Sequence, residues 1–201
     1  MKSLHRPELY AWSAFDEARN VDFNGTLWVR DAGNVVIDPM PLSQHDRAHL
    51  DHLGGVSLVI VTNSDHMRAA AALAAETGAV LAAPAAERAS ISEPVGLWLT
   101  DGDEPVPGLM VHALAGSKTP GELALLLDGH TLVCGDLIRG QRGGALNLLP
   151  APKLRDAAAA AASVRRLSRI AGVGAVIVGD GWPVFRDGQA RLAELAATLA
   201  D

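Results

Sequence analysis

Residues 56–68 read VSLVIVTNSDHMR, a run of Val, Leu and Ile that ends abruptly in polar residues. A short aliphatic run with a polar boundary is typical of a buried strand. Two other apolar runs, TLVC (131–134) and GAVIV (174–178), end in the same way, and the acidic residues that follow the three runs are Asp65, Asp136 and Asp180. In sheets covered by helices, ligands bind where strands end and loops begin. The three aspartates therefore indicate a metal site or a polar-substrate site at one edge of a sheet.

The composition indicates one α/β domain spanning residues 1–201. Hydrophobic residues make up 49% and charged residues 20% of the 201 positions, and Ala-rich helical patterns alternate with strand patterns rich in Val, Ile and Leu. The net charge is −6, and the basic residues are scattered apart from Arg165, Arg166 and Arg169. This distribution argues against nucleic-acid binding. The partner that we expect is a small-molecule substrate. Homo-oligomers remain an open alternative.

The N-terminal segment, the lack of a long apolar run and the single cysteine argue against a membrane protein and a protein held together by disulfides or cysteine-bound zinc. The N-terminal segment MKSLHRPELYAW has no continuous apolar stretch, and no run in the chain is long enough to span a bilayer, so we expect a cytoplasmic protein with no membrane partner. Cys134 is the only cysteine, which precludes an intrachain disulfide and a cysteine-based zinc cage. Its place inside the TLVC run favours a small buried hydrophobe over a catalytic thiol.

The order of predicted elements fits two packed sheets with helices outside. The elements are a hairpin over 21–30 and 34–38, a helix over 43–53 that begins at Ser43, a strand over 56–61, a helix over 65–77, a strand over 79–83, several strands between 97 and 138, a helix over 152–171, a strand over 174–178 and a helix over 188–200 capped by Asp187. His45, His49 and His52 share one face of the first helix, which we interpret as a solvated face.

Several stretches together resemble the metallo-β-lactamase superfamily over nearly the whole chain. They are FNGTLWVR with NVVIDP, LVIVTNSDH, GAVLAAPAAE, the long stretch from DGDEPVPGLMVHALAGSKTPG to TLVCGDLI, and VIVGDGW. The resemblance implies a four-layer αββα sandwich, α/β in class and α+β in its layering. It also implies one or two metal ions at the sheet edge and hydrolysis of esters, thioesters, lactones, amides or phosphodiesters.

The family's histidines are mostly missing. The family writes Thr-His-x-His-x-Asp-His where this chain has Thr62-Asn63-Ser64-Asp65-His66, and two alignments are open. If Thr62-Asn63 matches Thr-His, Met67-Arg68 replaces the closing Asp-His pair and little but Asp65 survives. If Asp65-His66 matches the closing pair, both survive, and we favour this alignment because a helix is predicted directly afterwards.

The second alignment implies one residual metal site. Its ligands would be Asp65, His66, Asp136 and Asp180, with Asp180 where the family has histidine. Oxygen-rich ligands favour Mn, Mg or Fe(II), and zinc also accepts this set, so we expect one divalent ion such as Zn, Mn or Fe, or none. The alternative is that Asn63, Ser64 and Asp65 cap a helix and that Asp180 belongs to a turn.

The leading functional hypothesis is a hydrolase of an ester, thioester or lactone in which the ion activates a water molecule. Asp136 and Asp65 would be its catalytic residues. The candidate substrate contacts are Asn63, Ser117, Lys118, Arg139, Arg142 and Trp182. The alternative is a noncatalytic, metal-free member of the same fold that binds a polar ligand or a partner.

Overall fold

A computed structural model describes residues 1–199. The first sheet contains seven strands in chain order, which are β1 (Lys2–Ser3), β2 (Leu9–Asp16), β3 (Val21–Trp28), β4 (Val35–Ile37), β5 (Leu58–Ile60), β6 (Val80–Pro84) and β7 (Leu97–Leu99). Strands β1 to β4 pair antiparallel, and β4 to β7 pair parallel. The predicted hairpin therefore exists as β3 and β4, with Thr26 opposite Ile37.

The second sheet contains four strands in the order β13-β10-β9-β8. Their bounds are β8 (Leu109–Leu114), β9 (Glu122–Leu127), β10 (Thr131–Cys134) and β13 (Ala175–Val178). Strand β13 pairs parallel with β10, and the other pairs are antiparallel. A separate two-stranded hairpin consists of β11 (Ile138–Arg142) and β12 (Ala145–Leu148).

Four layers result from the packing of helices on both sheets. The helices are α1 (Gln44–His52), α2 (Ala70–Thr77), α3 (Ala157–Ser168) and α4 (Gly188–Ala197). Leu50 of α1 and Leu73 of α2 pack on the first sheet, whereas Val164 of α3 and Leu192 of α4 pack on the second. A third apolar cluster lies between the sheets. The predicted αββα sandwich is confirmed, and none of the helices within residues 1–199 is long and apolar enough to cross a membrane.

The continuous apolar runs are explained by burial on both faces. All residues of β5, β10 and β13 are buried, because each strand has the facing sheet on one side and helices on the other. The ends of the two sheets are tied together at one edge: Leu123 N donates to Thr62 O at 2.8 Å, and Asn24 N donates to Gly179 O at 2.9 Å. This edge holds Asp65, Asp136 and Asp180.

Several element boundaries differ from the sequence prediction. The helix predicted over 65–77 begins only at Ala70, because residues 64–66 form a 3-10 turn and Arg68 has a positive φ of 26° that interrupts the helix. The alignment of Asp65-His66 with the family's closing Asp-His pair was favoured because a helix was predicted directly after it, and it loses that support. The helix predicted over 152–171 begins at Ala157, where Asp156 accepts a hydrogen bond from Ala159 N.

The prediction also differs from the structure at the cap of α4, at the first two strands and at the β11–β12 hairpin. Asp187 precedes α4 as predicted, but its φ of 57° leaves the side chain without a capping hydrogen bond. Position 200, the predicted end of this helix, lies outside the described residues. Strands β1 and β2 and the β11–β12 hairpin were not predicted, since their sequences mix exposed polar residues with apolar ones.

Candidate active site

A cavity of about 540 Å³ opens at the edge where β5, β10 and β13 end. Loop residues that follow these strands line it, together with residues from the start of β3 and from the β8–β9 loop. Its charged lining side chains are Asp16, Arg19, Asp65, His66, Arg68, Lys118, Asp136, Arg139, Lys153 and Asp180. All four residues of the proposed metal set line this cavity.

His66 is held rigidly at the cavity by Asp38, which the sequence did not single out. Asp38 follows β4 with a φ of 49°, a conformation that aspartate tolerates better than most residues. Its buried carboxylate accepts from Thr62 N at 2.7 Å, Thr62 Oγ1 at 2.6 Å and His66 Nδ1 at 2.9 Å. These bonds orient the imidazole so that Nε2 lies 3.5 Å from Asp136 Oδ1.

The carboxylates around His66 set its charge. Burial by itself lowers the pKa of His66, but Asp38 and Asp136 outweigh burial and raise it to about 9. Burial alone would raise the pKa of Asp136, yet His66 and Lys118 hold that pKa well below its usual range. At neutral pH the site therefore contains an imidazolium beside two carboxylates.

Lys118 lies between two of the proposed metal ligands. Its Nζ is 2.6 Å from Asp65 Oδ2 and 2.9 Å from Asp136 Oδ2. Burial lowers the pKa of Lys118, but its bonds to Asp65 and Asp136 raise it overall, so the side chain stays an ammonium. Both carboxylates thereby share one positive charge that belongs to the chain itself.

Asp180 is neutralised separately. Arg139 donates from Nε to Asp180 Oδ1 at 2.6 Å and contacts Oδ2 with its Nη2 nitrogen, while Gln141 Nε2 donates to Oδ1 at 3.0 Å. Only 1% of Asp180 is exposed. Because two nitrogens of the Arg139 guanidinium meet the two oxygens of the Asp180 carboxylate, this is a charge-assisted pair, which is stronger than a hydrogen bond between neutral groups.

The donor set does not fit a resident metal ion in this arrangement. Within residues 1–199, no group of three or more His, Cys, Asp or Glu side chains is placed to hold an ion. The physical reason is the pairing described above: Lys118 separates Asp65 from Asp136, and Arg139 engages both oxygens of Asp180. A cation at the centre of these groups would meet an ammonium already there.

Behind the cavity lie three buried residues that support its walls. Ser117 is 1% exposed and donates its hydroxyl to Glu122 Oε2, which places it beneath the surface as a support for Glu122. Burial and the charge of Asp136 raise the pKa of Glu122 to about 8. Asn63 is fully buried beside Asp136, with Nδ2 3.4 Å from Asp136 Oδ2. Of the proposed polar contacts, Ser117 and Asn63 thus contribute from below the cavity surface.

The structure places the other candidates elsewhere. Arg142 is exposed at the end of β11 and lines a different groove beside α4. Trp182 is 58% exposed, and its ring approaches Gly143. Neither is among the lining residues of the cavity. Cys134 is buried, and burial raises the pKa of its thiol far above the ordinary range.

Two further basic residues line the cavity without an ion pair. Among residues 1–199, no carboxylate pairs with Arg68 or Lys153, in contrast to Lys118 and Arg139. The Arg68 guanidinium lies 4.7 Å from the ring centroid of Phe23, a cation–π contact that positions it against the cavity wall. In the sequence, Arg68 could have been singled out by its place in the first motif, because the first alignment puts it where the family has a histidine.

Comparison with known proteins agrees with the fold. The family model described as "Metallo-beta-lactamase superfamily" matches residues 1–199, so the chain belongs to the metallo-β-lactamase superfamily. Membership supports metallo-hydrolase chemistry in general. No curated protein matches the chain in sequence.

Solved structures share the fold at low sequence identity. The metallo-β-lactamase from Pontibacter korlensis has a TM-score of 0.75 at 15% identity, covering 96% of this chain and 95% of that one. The DIM-1 metallo-β-lactamase has a TM-score of 0.74 at 17% identity, covering 97% and 95%. The metallo-β-lactamase FIM-1 from Pseudomonas aeruginosa, in its mono-zinc form, has a TM-score of 0.73 at 16% identity, covering 94% and 90%.

Proposed function

We propose that this protein binds a small anionic ligand in the cavity without a resident metal ion. The observation that carries the proposal is the charge of the lining: Lys118 and Arg139 offset part of the charge of Asp65, Asp136 and Asp180, while Arg68 and Lys153 have no carboxylate partner within residues 1–199. With protonated His66, whose pKa is about 9, and apart from the Arg19–Asp16 pair, the site has five positive side chains against four aspartates, because Asp38 must be counted beside Asp65, Asp136 and Asp180. A concave, water-accessible site with surplus cations attracts carboxylates and phosphates.

The experiment measures anion binding by calorimetry, with inorganic phosphate and citrate as probes. Arg68→Gln and Lys153→Gln each remove one unpaired charge, and we expect each to weaken binding by about tenfold, as for a charge-assisted hydrogen bond. Arg142→Gln is the matched control, because Arg142 is an exposed arginine outside the cavity. Equal binding in all four proteins, or no binding to any of them, would contradict the proposal.

A metal-dependent hydrolase is the second candidate. Asp65 and Asp136 converge on one point, the Lys118 ammonium, and His66 Nε2 is 3.5 Å from Asp136. If Lys118 turned aside, these groups could hold one divalent ion, with Asp180 near the same cavity. That ion would supply an activated water for attack on an ester, thioester or lactone, with Asp136 and Asp65 as ligands.

Elemental analysis separates the two candidates. The protein is purified untagged and without chelators, beside Asp65→Ala, His66→Ala and Asp136→Ala. Near-stoichiometric Zn, Mn or Fe that disappears in all three variants would support the hydrolase and justify a screen of ester, thioester and lactone substrates. Metal-free wild-type protein that stays metal-free after reconstitution supports the anion-binding function.

A further inference from the structure

Lys118 makes contacts that a bound cation would make. Its Nζ bridges Asp65 Oδ2 at 2.6 Å and Asp136 Oδ2 at 2.9 Å, although the two aspartates follow strands of different sheets. Asp136 is 5% exposed, so its charge is costly without a partner. A cation at this point holds the loop after β5 against the loop after β10.

Two further side chains, His66 and Asn63, lie beside Asp136 and make no contact with the Lys118 ammonium. The His66 ring is fixed by Asp38 at Nδ1, which leaves Nε2 on the side of Asp136. A histidine whose other nitrogen donates to a carboxylate is the usual arrangement of a metal-ligating histidine. Asn63 is fully buried next to Asp136, and its Oδ1 accepts no hydrogen bond within the described residues.

Lys118 is also the member of this group that can be withdrawn. Its side chain is 35% exposed and rests on a flexible four-carbon stem, whereas Asp136 and His66 are buried and hydrogen-bonded in place. Asp136 and His66 are therefore fixed, whereas Lys118 and Asp65 are the exposed members, so that Asp65 can approach the other two once the ammonium is removed.

We infer that Lys118 is a built-in cation in the place of a metal ion, and that its removal opens a divalent-cation site made by Asp65, His66 and Asp136. The inference goes beyond anion binding, which depends on Arg68 and Lys153. Two carboxylates and one imidazole suit Mn²⁺, Fe²⁺ or Zn²⁺. The native chain needs no metal to hold these loops together.

The test compares Lys118→Met with Lys118→Arg. Methionine keeps an unbranched apolar stem and removes the charge, whereas arginine keeps the charge and is the matched control. Calorimetric titration with ZnCl₂ and with MnCl₂ should give one ion per chain for Lys118→Met and no stoichiometric binding for the wild type or Lys118→Arg. Adding Asp136→Asn to Lys118→Met should weaken the new binding by at least tenfold.

Two outcomes would overturn the inference. One is a folded Lys118→Met protein, judged by near-ultraviolet circular dichroism, that binds neither metal. The other is a wild-type protein that binds one ion through Asp136, because Lys118 would then not exclude it. If Lys118→Met does not fold alone, refolding it with ZnCl₂ decides: rescue supports a latent site, and failure to rescue, where Lys118→Arg folds, counts against it. Neither result depends on the Arg68 and Lys153 variants.

Discussion

At the scale of single residues, the dominant interaction is the buried pair of Asp38 and His66. We expect Asp38→Asn to lower the free energy of unfolding by about 3 kcal/mol, because it leaves a buried imidazole without its carboxylate. Asparagine tolerates the positive φ at this position, so the loss reports on charge rather than on the backbone. Urea unfolding measures the change, and NMR titration should show the His66 pKa falling from about 9.

The control for this prediction is Asp128→Asn. Asp128 also has a positive φ, of 48°, but it is exposed. We expect a change within about 0.5 kcal/mol, as for most surface substitutions. A loss at Asp128 equal to that at Asp38 would show that the backbone conformation, and not the buried ion pair, carries the effect.

Glu122 predicts a pH dependence of stability. Its pKa in the fold is about 8, against a reference value of 4.5, so between these values the folded chain holds a proton that the unfolded chain has released. Stability therefore falls as pH rises through this window, by at most about 1.4 kcal/mol per pH unit. His66 acts in the same direction between its reference value of 6.5 and about 9, because its pKa is also raised in the fold.

Glu122→Gln separates the two contributions. Glutamine cannot ionise, so we expect urea unfolding of Glu122→Gln to lack the part of the fall that Glu122 causes above pH 4.5 and to keep the fall that His66 causes between 6.5 and 9. The comparison with the wild type at each pH removes effects common to both proteins. Parallel curves for the two proteins would mean that Glu122 titrates normally in the fold.

At the scale of elements, the loop that carries Lys118 depends on Gly116. Gly116 has a φ of +84°, and a Cβ there would lie 2.3 Å from Ala160 N and 2.3 Å from Asp156 O, both backbone atoms at the start of α3. We expect Gly116→Ala to cost about 3 kcal/mol or more, because it adds a clash with a helix to the strain of a positive φ. Thermal or urea unfolding measures the loss.

Gly129→Ala is the matched control. Gly129 has a φ of +64°, and a Cβ there would meet nothing within 4 Å. Only the backbone strain applies, so we expect a loss of about 1 kcal/mol. Similar losses at both glycines would show that the contact between the 116–121 loop and α3 is looser than the structure indicates.

The elements predicted from sequence were those with a strong internal pattern. Strands β5 and β13 are aliphatic throughout because both faces are buried, and Ser43 caps α1 as its sequence predicts. The helix after β5 was misplaced because its start depends on the positive φ of Arg68, which no local propensity signals. Strand β2 was missed since its exposed Phe15 and half-buried positions break the alternation.

The candidate site was located from the sequence, but its ionic pairing was not. Strand ends and the Gly135-Asp136 turn placed Asp65, Asp136 and Asp180 at one edge. Which cation each carboxylate meets depends on distances across two sheets: Lys118 comes from the β8–β9 loop, and Arg139 from β11. Asp38 is 28 positions from His66, so its role could be found only from the fold.

At the scale of the whole molecule, the two sheets share one apolar core and should unfold together. The cluster between the sheets includes Ile60 of the first and Val133 and Ile177 of the second. Asn24 adds a polar link across the sheets by donating to Val178 O and Gly181 O, both at 2.9 Å. We therefore expect one cooperative transition over the chain rather than two.

The test follows tryptophan fluorescence and far-ultraviolet circular dichroism in the same urea titration. Trp12, Trp28 and Trp98 belong to the first sheet, so their fluorescence reports mainly on that half, whereas the dichroism reports on both. Asn24→Ala should lower both midpoints equally and the free energy of unfolding by about 2 kcal/mol, because the carbonyls of Val178 and Gly181 lose their donor. Ser13→Ala removes only the bond from Ser13 Oγ to Asn24 Oδ1 and should cost less. Separate midpoints for the two probes would instead mean that each sheet, with its own helices, folds as an independent unit and that the cavity lies at a domain boundary.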